Sequence, residues 1–305
     1  IMAFLQVPGE VYQMMRNYLM IIFTGIAATF LYNFFAFLLR ALGNSVVPLA
    51  FLAVSAVMNI VLDLVFVLVF DMGVEGAAIA TVFSQYVSGV GLAVYTLVKH
   101  KELRPGGGIY EKGVLRELAD FSFLTCLQQS IMNFGILMVQ GLINSFGIVV
   151  MAAFAAAVKI DSFAYMPVQD FGNAFSIFIA QNYGAGEKER IKKGIAAAFK
   201  ISAVFSIAIS AVVCLFAKPL MLIFIQPHET EVLAVGMQYL RVEGAFYIGI
   251  GWLFLFYGLY RAVRKPGMSV VLTIISLGTR VVLAYTLSAV PAIGVLGIWA
   301  SVPIG

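Results

Sequence analysis

The chain has 305 residues, of which 62% are hydrophobic and 11% are charged, and its formal net charge is +4. Because soluble globular domains carry roughly 25% charged residues, this composition excludes that class and indicates a protein embedded in a membrane. The two cysteines, Cys126 and Cys214, both fall in apolar runs, which argues against a disulfide framework.

Eight apolar runs are long enough to span a membrane, since about 20 helical residues cross a hydrocarbon core ~30 Å thick. We predict these spans at residues 18–39, 46–70, 76–98, 121–147, 150–180, 195–225, 236–260 and 268–290. A stub follows from Gly294, and residues 1–7 resemble the end of an earlier span. Only helices and closed barrels satisfy backbone polar groups in lipid, and these runs lack the alternation of barrel strands. The predicted fold class is therefore an all-α membrane protein.

The sequence contains an internal repeat. Charged, aromatic and glycine residues recur 221 positions later without a gap: Glu10 as Glu231, Tyr18 as Tyr239, Arg40 as Arg261 and Gly73 as Gly294. A repeat in so apolar a chain predicts a transporter built from two homologous helical bundles.

The repeat also predicts the domain boundaries. Residues 1–98 form the remainder of an N-terminal bundle, 99–120 a cytoplasmic linker around Pro105 and Gly106, and 121–305 a C-terminal bundle with a truncated last helix. Residues 121–216 have no counterpart in the first copy. We therefore expect the chain to be a fragment that lacks about three N-terminal helices and most of the last one.

The distribution of lysine and arginine predicts the orientation in the membrane. One alternating set of loops holds fourteen of these residues and the opposite set holds three, Arg16, Lys218 and Arg241. Cytoplasmic loops carry the excess of positive charge, so the loops near 40–45, 99–120, 184–194 and 261–267 are predicted to be cytoplasmic. The positive charge thus reflects topology and contact with membrane lipids, and it does not indicate a nucleic-acid partner.

Four motifs together resemble the multidrug and toxic compound extrusion (MATE) family. They are Arg40-Ala41-Leu42-Gly43-Asn44, Asn59 with Asp63, the glycine- and alanine-rich run from Gly73 to Thr81, and Gln181-Asn182-Tyr183-Gly184-Ala185-Gly186. The resemblance implies twelve helices in the complete protein, arranged as two bundles around a central cavity in a plasma-membrane transporter. It also implies export of a cationic or amphipathic organic compound in exchange for Na⁺ or H⁺, with no cofactor, by a monomer.

Asn59, Asp63 and Thr81 are the predicted site for a cation or a proton. Asn59 precedes Asp63 by one helical turn, so the two side chains share a face, and Thr81 lies at a comparable depth in the next span. A carboxylate, an amide oxygen and a hydroxyl suit Na⁺, or the carboxylate alone suits a proton. The resemblance implies the same site, with a further carboxylate on the first helix of the family. The alternative is a structural aspartate satisfied by neighbouring amides, and no other metal site is predicted.

The second copy supports the functional interpretation of this trio. At the corresponding positions it carries Arg280, Ala284 and Val302. Two copies of one fold differ at all three positions, so the fold itself does not demand the trio.

A row of amides marks the first span of the second bundle. Gln129, Asn133, Gln140 and Asn144 fall near one helical face, as i, i+4, i+11 and i+15. They either line an aqueous or substrate-facing surface or form hydrogen bonds between helices, which contribute only ~0.6 kcal/mol on average in membranes.

We assign four charged residues inside other spans to the same predicted substrate cavity as the amides, namely Lys159, Asp161, Asp170 and Arg280. Alternatively, Lys159 and Arg280 neutralise the two aspartates as structural pairs. Glu243 lies about two turns inside its span, where we expect it to reach the interface. The span at 121–147 carries no carboxylate of the kind that some MATE branches use in their second bundle.

The sequence thus predicts a secondary active antiporter working by alternating access, and not an enzyme. The alternative within transporters is a lipid-linked saccharide flippase, which needs a cationic cavity. A membrane-embedded enzyme or a channel is the alternative from another class. The chain has no P-loop, GxSxG, HExxH or CxxC motif, which weighs against an ATP-driven pump or an enzyme.

Overall fold

The computed structural model describes residues 9–101 and 111–304, and within these ranges all regular structure is helical. The chain divides into two compact units, Ile1–Tyr110 and Glu111–Gly305. The predicted end of an earlier span at 1–7 and the centre of the predicted linker at 102–110 lie outside the described residues.

The described part of the first unit, residues 9–101, contains four α-helices. They are α1 (Gly9–Thr24), α2 (Ile26–Ala41), α3 (Val46–Leu64) and α4 (Gly73–Lys99), and a π-helical turn, Val65–Val69, extends α3. The single span predicted at 18–39 lies within one candidate span, Tyr12–Ala41, and Gly25 divides the helix of that span into α1 and α2. A Cβ atom at Gly25 would collide with the side-chain oxygen of Gln85 on α4, so a larger residue there would require the Gln85 side chain to move.

Residues 111–304, the described part of the second unit, contain eight helices. They are α5 (Lys112–Asn144), α6 (Ile148–Gly184), α7 (Lys188–Leu215), α8 (Ala217–Met221), α9 (Thr230–Gly244), α10 (Tyr247–Ala262), α11 (Pro266–Ser288) and α12 (Val295–Ile304). Helix α5 begins inside the segment predicted as a linker. The span predicted at 195–225 ends at Leu215, before the short α8. The span predicted at 236–260 is two helices bent by 51°.

Aromatic side chains form the centre of the core of the second unit. Phe154 on α6 stacks on Trp299 of α12 with ring centroids 5.8 Å apart, and Tyr239 on α9 meets the Trp299 ring edge-on at 4.8 Å. All three are almost fully buried. Such pairs contribute about 0.5–1.5 kcal/mol each beyond the area they bury, so they hold α6, α9 and α12 together.

Helices α6 and α10 approach each other closely through two glycines. A Cβ atom on Gly258 would lie 2.6 Å from the carbonyl oxygen of Gly172, and one on Gly172 would lie 2.9 Å from that of Phe254. Small residues at such crossings are typical of helix packing in membranes.

The helix bounds follow the register of the sequence repeat. Shifted by 221 residues, α1 and α2 would span 230–245 and 247–262, where α9 and α10 lie. The backbone follows the same register: Gly73 and Gly294 have φ angles of 55° and 52°, and Gly43 and Arg264 have 84° and 59°. These matches are compatible with two copies of one helical pattern.

The described helices are long and apolar enough for a polytopic membrane protein. Seven helices qualify as membrane spans when α1 and α2 are joined into one helix. The bent pair α9–α10 makes an eighth span if the two helices count as a single span. The predicted all-α membrane fold is therefore confirmed, although the bounds of individual spans differ.

Candidate ion site and charged cluster

Asn59 and Thr81 meet between α3 and α4. The Asn59 amide Nδ2 donates to the Thr81 hydroxyl at 3.4 Å, and that hydroxyl donates to the backbone oxygen of Ala77 at 2.9 Å. Both side chains are half-buried. Because the amide nitrogen faces Thr81, the Asn59 carbonyl oxygen remains available as an acceptor.

Asp63 lies one turn after Asn59 on α3. Its Oδ1 atom is buried and makes no hydrogen bond within the described part of the chain. A buried carboxylate oxygen without a donor is costly, so such an atom needs a cation or a proton. The π-helical turn Val65–Val69 begins two residues later, and such turns often occur at functional sites.

This arrangement offers oxygen ligands and a single negative charge. Nitrogen and sulfur ligands are absent from the trio, so its chemistry suits a small hard cation such as Na⁺, or protonation of the carboxyl group. The described residues contain no group of three or more histidine, cysteine, aspartate or glutamate residues able to hold a metal ion.

The amide row on α5 is directed away from the core of the second unit. Gln129, Asn133 and Asn144 are exposed, and Gln140 is half-buried. Gln140 donates to Asn144 at 2.9 Å, within the same helix. Among the described residues we find no hydrogen bond from this row to another helix, which leaves the amides free for water or a ligand.

Lys159 and Asp170, both predicted for the cavity, lie on exposed positions of α6. The Lys159 ammonium sits 5.6 Å from the ring centroid of Phe224, a cation–π contact. Within the described ranges, no ion pair of 4.0 Å or less joins Lys159 or Arg280 to Asp161 or Asp170. The predicted neutralisation of the two aspartates therefore does not take the form of direct ion pairs within the described ranges.

Asp161 instead belongs to a buried charged cluster. It accepts a hydrogen bond of 2.6 Å from the hydroxyl of Tyr247 on α10. Arg280 on α11 lies within the range of electrostatic interaction of both Asp161 and Glu243, which is on α9. Three helices thus bring one cation to two carboxyl groups.

Glu243 is the residue that the sequence interpretation missed. We expected its side chain to reach the membrane interface, but it is only 4% exposed, and its Oε2 atom has no hydrogen-bond partner among the described residues. The available signal was its spacing from Tyr239 and Tyr247, four residues on either side. Tyr239 and Glu243 share one face of α9, and both are buried, as is Tyr247 at the start of α10.

The fold and its buried charges define a polytopic helical membrane protein that holds ionisable groups within its spans. A family model described as MatE matches residues 122–286, more than half of the chain, so the chain belongs to the MatE family. The family predicted from the sequence motifs is thereby confirmed. Its members are multi-pass transporters of the plasma membrane and not enzymes.

Individual relatives agree with this membership. The chain is 32% identical to the probable multidrug resistance protein YpnP of Bacillus subtilis (strain 168), across 90% of this chain and 62% of that protein. It is 24% identical to the probable multidrug resistance protein NorM of Thermotoga maritima, across 97% of this chain and 65% of that protein. The chain thus spans somewhat less than two thirds of the length of these curated relatives.

A solved structure shows the same fold. A mutant of the Vibrio cholerae MATE transporter VcmN matches with a TM-score of 0.92 at 22% identity, across 99% of this chain and 68% of that one.

Proposed function

We propose that this chain is part of a secondary active antiporter that exports a cationic or amphipathic organic compound in exchange for Na⁺ or H⁺. The supporting observation is the Asp63 carboxylate, which has a buried oxygen without a donor beside the Asn59–Thr81 contact. Relatives named as multidrug resistance proteins support the substrate class.

Coupling follows from binding the ion with different affinity in two conformations. An ion that binds Asp63 more tightly in one conformation shifts the population towards that conformation, and the shift changes the affinity for substrate. By linkage, bound substrate changes the affinity for the ion by the same factor as the ion changes the affinity for substrate. The π-helical turn after Asp63 supplies a local irregularity at which α3 can change its hydrogen bonding.

The amide row on α5 is our candidate surface for the organic substrate. Gln129, Asn133 and Asn144 are exposed within an apolar helix, and Gln140 is half-buried and donates to Asn144 of the same helix. Amide groups offer donors and acceptors without a fixed charge, which suits substrates of varied structure.

A lipid-linked saccharide flippase is the alternative transporter. Its pyrophosphate would need unpaired cations, but Arg280 is faced by Asp161 and Glu243. The Lys159 ammonium lies over the Phe224 ring. Cations engaged in this way favour the antiporter over the flippase.

The test is efflux of a fluorescent organic cation from proteoliposomes under an imposed Na⁺ or H⁺ gradient. We expect Asp63→Asn to keep the fold and substrate binding but to lose gradient-driven efflux, because the amide cannot carry the charge or the proton. Asp71→Asn is the matched control, since Asp71 is exposed and has a φ of 51°, which asparagine adopts readily. Gradient-driven efflux at the wild-type rate by Asp63→Asn would show that coupling lies elsewhere.

A further inference from the structure

The charged cluster of the second unit contains buried polar atoms that lack partners. Glu243 is 4% exposed with Oε2 unbonded, and Nε of Arg280 is also buried without an acceptor in the described ranges. Asp161 and Arg280 are half-buried residues, and Asp161 differs from the other two in accepting a hydrogen bond from Tyr247. Hydrogen bonding at Nε therefore does not explain the presence of Arg280 in this cluster. We attribute its role there to its positive charge.

Arg280 is the cation that faces both carboxyl groups. It interacts electrostatically with Asp161 and with Glu243, and these two also interact with each other. Moving an ion from water into a protein interior costs several kcal/mol, and removing one partner of a buried pair leaves the other uncompensated. Without Arg280, the two carboxyl groups would have no fixed positive charge to face them.

The repeat places Arg280 at a specific position. Arg280 on α11 corresponds to Asn59 on α3, the neighbour of Asp63 and Thr81, and both helices follow a turn with matching positive φ angles. At the positions of Asp63 and Thr81, the second unit carries Ala284 and Val302, which are both buried. The second copy thus loses the oxygen ligands of the first and gains a fixed positive charge.

We propose that Arg280 is a built-in counter-ion of Asp161 and Glu243, supplying permanently the positive charge that an exchangeable Na⁺ or proton supplies at Asp63. Asp161 and Glu243 thereby share one fixed cation. The second unit is then insensitive to the coupling ion, and removal of Arg280 opens a site for a small cation there. Only the comparison with Asp63 rests on the proposed function, whereas the counter-ion role of Arg280 does not.

Other titratable groups around the cluster bear on the test. Those that face it are Tyr165 on α6, Cys214 on α7, Tyr239 on α9 and Tyr247 on α10. None of them carries a positive charge, so none can replace Arg280.

A tryptophan beside the cluster provides a local readout. The chain has two tryptophans, and Trp299 lies 4.8 Å from the ring of Tyr239, whereas Trp252 packs on Phe199. All variants are made in one background, called the parent, that carries Trp252→Phe and Asp63→Asn. The first substitution leaves Trp299 as the source of tryptophan emission, and the second removes ion binding at Asp63. In detergent, the parent is titrated with NaCl against choline chloride, and separately with acid below neutral pH.

We expect the emission of the parent to stay constant in both titrations. Adding Arg280→Asn should produce a saturable change with Na⁺ or with acid, because Asp161 then takes up a mobile cation. Adding Arg280→Lys should restore the constant emission, and Asp161→Asn added to Arg280→Asn should abolish the new response. A constant emission in Arg280→Asn, or the same response in the parent, overturns the proposal.

Thermal unfolding provides a second measurement, which remains informative if Arg280→Asn is too unstable for the titrations. Arg280→Asn and Asp161→Asn should each lower the Tm, and the double variant should recover most of the loss because both charges are removed together. Losses that simply add in the double variant overturn the counter-ion role. Neither result depends on whether Asp63 couples transport, so failure here is separable from failure of the proposed function.

Discussion

Tyr247 donates its hydroxyl to Asp161 at 2.6 Å, which joins α10 to α6 across 86 positions of sequence. The two helices also cross closely at Gly172 and Gly258. The phenol fixes one oxygen of Asp161, and Arg280 acts on the same carboxylate through its charge. A polar contact and a close apolar crossing therefore hold the same two helices.

We expect Tyr247→Phe to destabilise the second unit by about 1–2 kcal/mol. A hydrogen bond to a charged acceptor contributes about 1.5–3 kcal/mol in water-soluble proteins, but the average in membranes is lower. Thermal unfolding in detergent measures the effect. Tyr285→Phe is the control, since Tyr285 makes a longer bond of 3.4 Å to the Met138 carbonyl on an exposed surface. Equal losses in both variants would contradict a specific role for the Asp161 contact.

Much of the fold follows from the sequence because lipid imposes simple rules. Long apolar runs predicted the helices, and the 221-residue repeat predicted that their pattern recurs. The sequence did not reveal the break at Gly25 or the bend between α9 and α10, because both lie inside continuous apolar runs. Such breaks depend on what a neighbouring helix places beside the chain, as Gln85 does at Gly25.

The candidate sites were predictable to different degrees. The contact of Asn59 with Thr81 joins successive spans, so local spacing was sufficient to anticipate it. The cluster of Asp161, Glu243 and Arg280 brings together residues from distant parts of the sequence. Nothing in the sequence indicates that these three residues lie close together. The prediction for Glu243 was wrong because its distance from a helix end does not show which face of the helix is buried by neighbouring helices.

Asn59→Ala should weaken ion coupling without abolishing it. Water can replace the neutral amide oxygen, so we expect the ion concentration for half-maximal efflux to rise by about tenfold, equivalent to ~1.4 kcal/mol. Efflux from proteoliposomes at varied Na⁺ and pH measures this shift. Ser55→Ala is the control one turn earlier on α3, where the hydroxyl bonds to the Ser84 carbonyl at 2.8 Å. If Asn59→Ala left the ion dependence unchanged, Asn59 would not be a ligand.

Gly258→Ala should destabilise the crossing of α6 and α10. The new Cβ atom would lie 2.6 Å from the Gly172 carbonyl oxygen, which belongs to the backbone and cannot rotate away. Overpacking of this kind costs typically about 1–3 kcal/mol. Gly278→Ala is the control, because its Cβ atom would have no neighbour within 4 Å and alanine favours a helix. Thermal unfolding should therefore show a lower Tm for Gly258→Ala only, and equal Tm values would contradict the close crossing.

The orientation of the second unit can be tested by cysteine labelling in intact cells. Lysine and arginine crowd the start of α7, directly after the loop that follows α6, whereas the loop between α8 and α9 carries neither. This difference predicts a cytoplasmic position for the first loop and an external position for the second. Ala185→Cys and His228→Cys introduce thiols at exposed positions of these two loops. Because Cys126 is exposed, both native cysteines are first replaced by alanine. We expect an impermeant maleimide to label His228→Cys in intact cells and Ala185→Cys only after the membrane is opened. Labelling of Ala185→Cys from outside would show that the orientation in the membrane is opposite to the predicted one. The direction in which the ion gradient drives export would then be opposite as well.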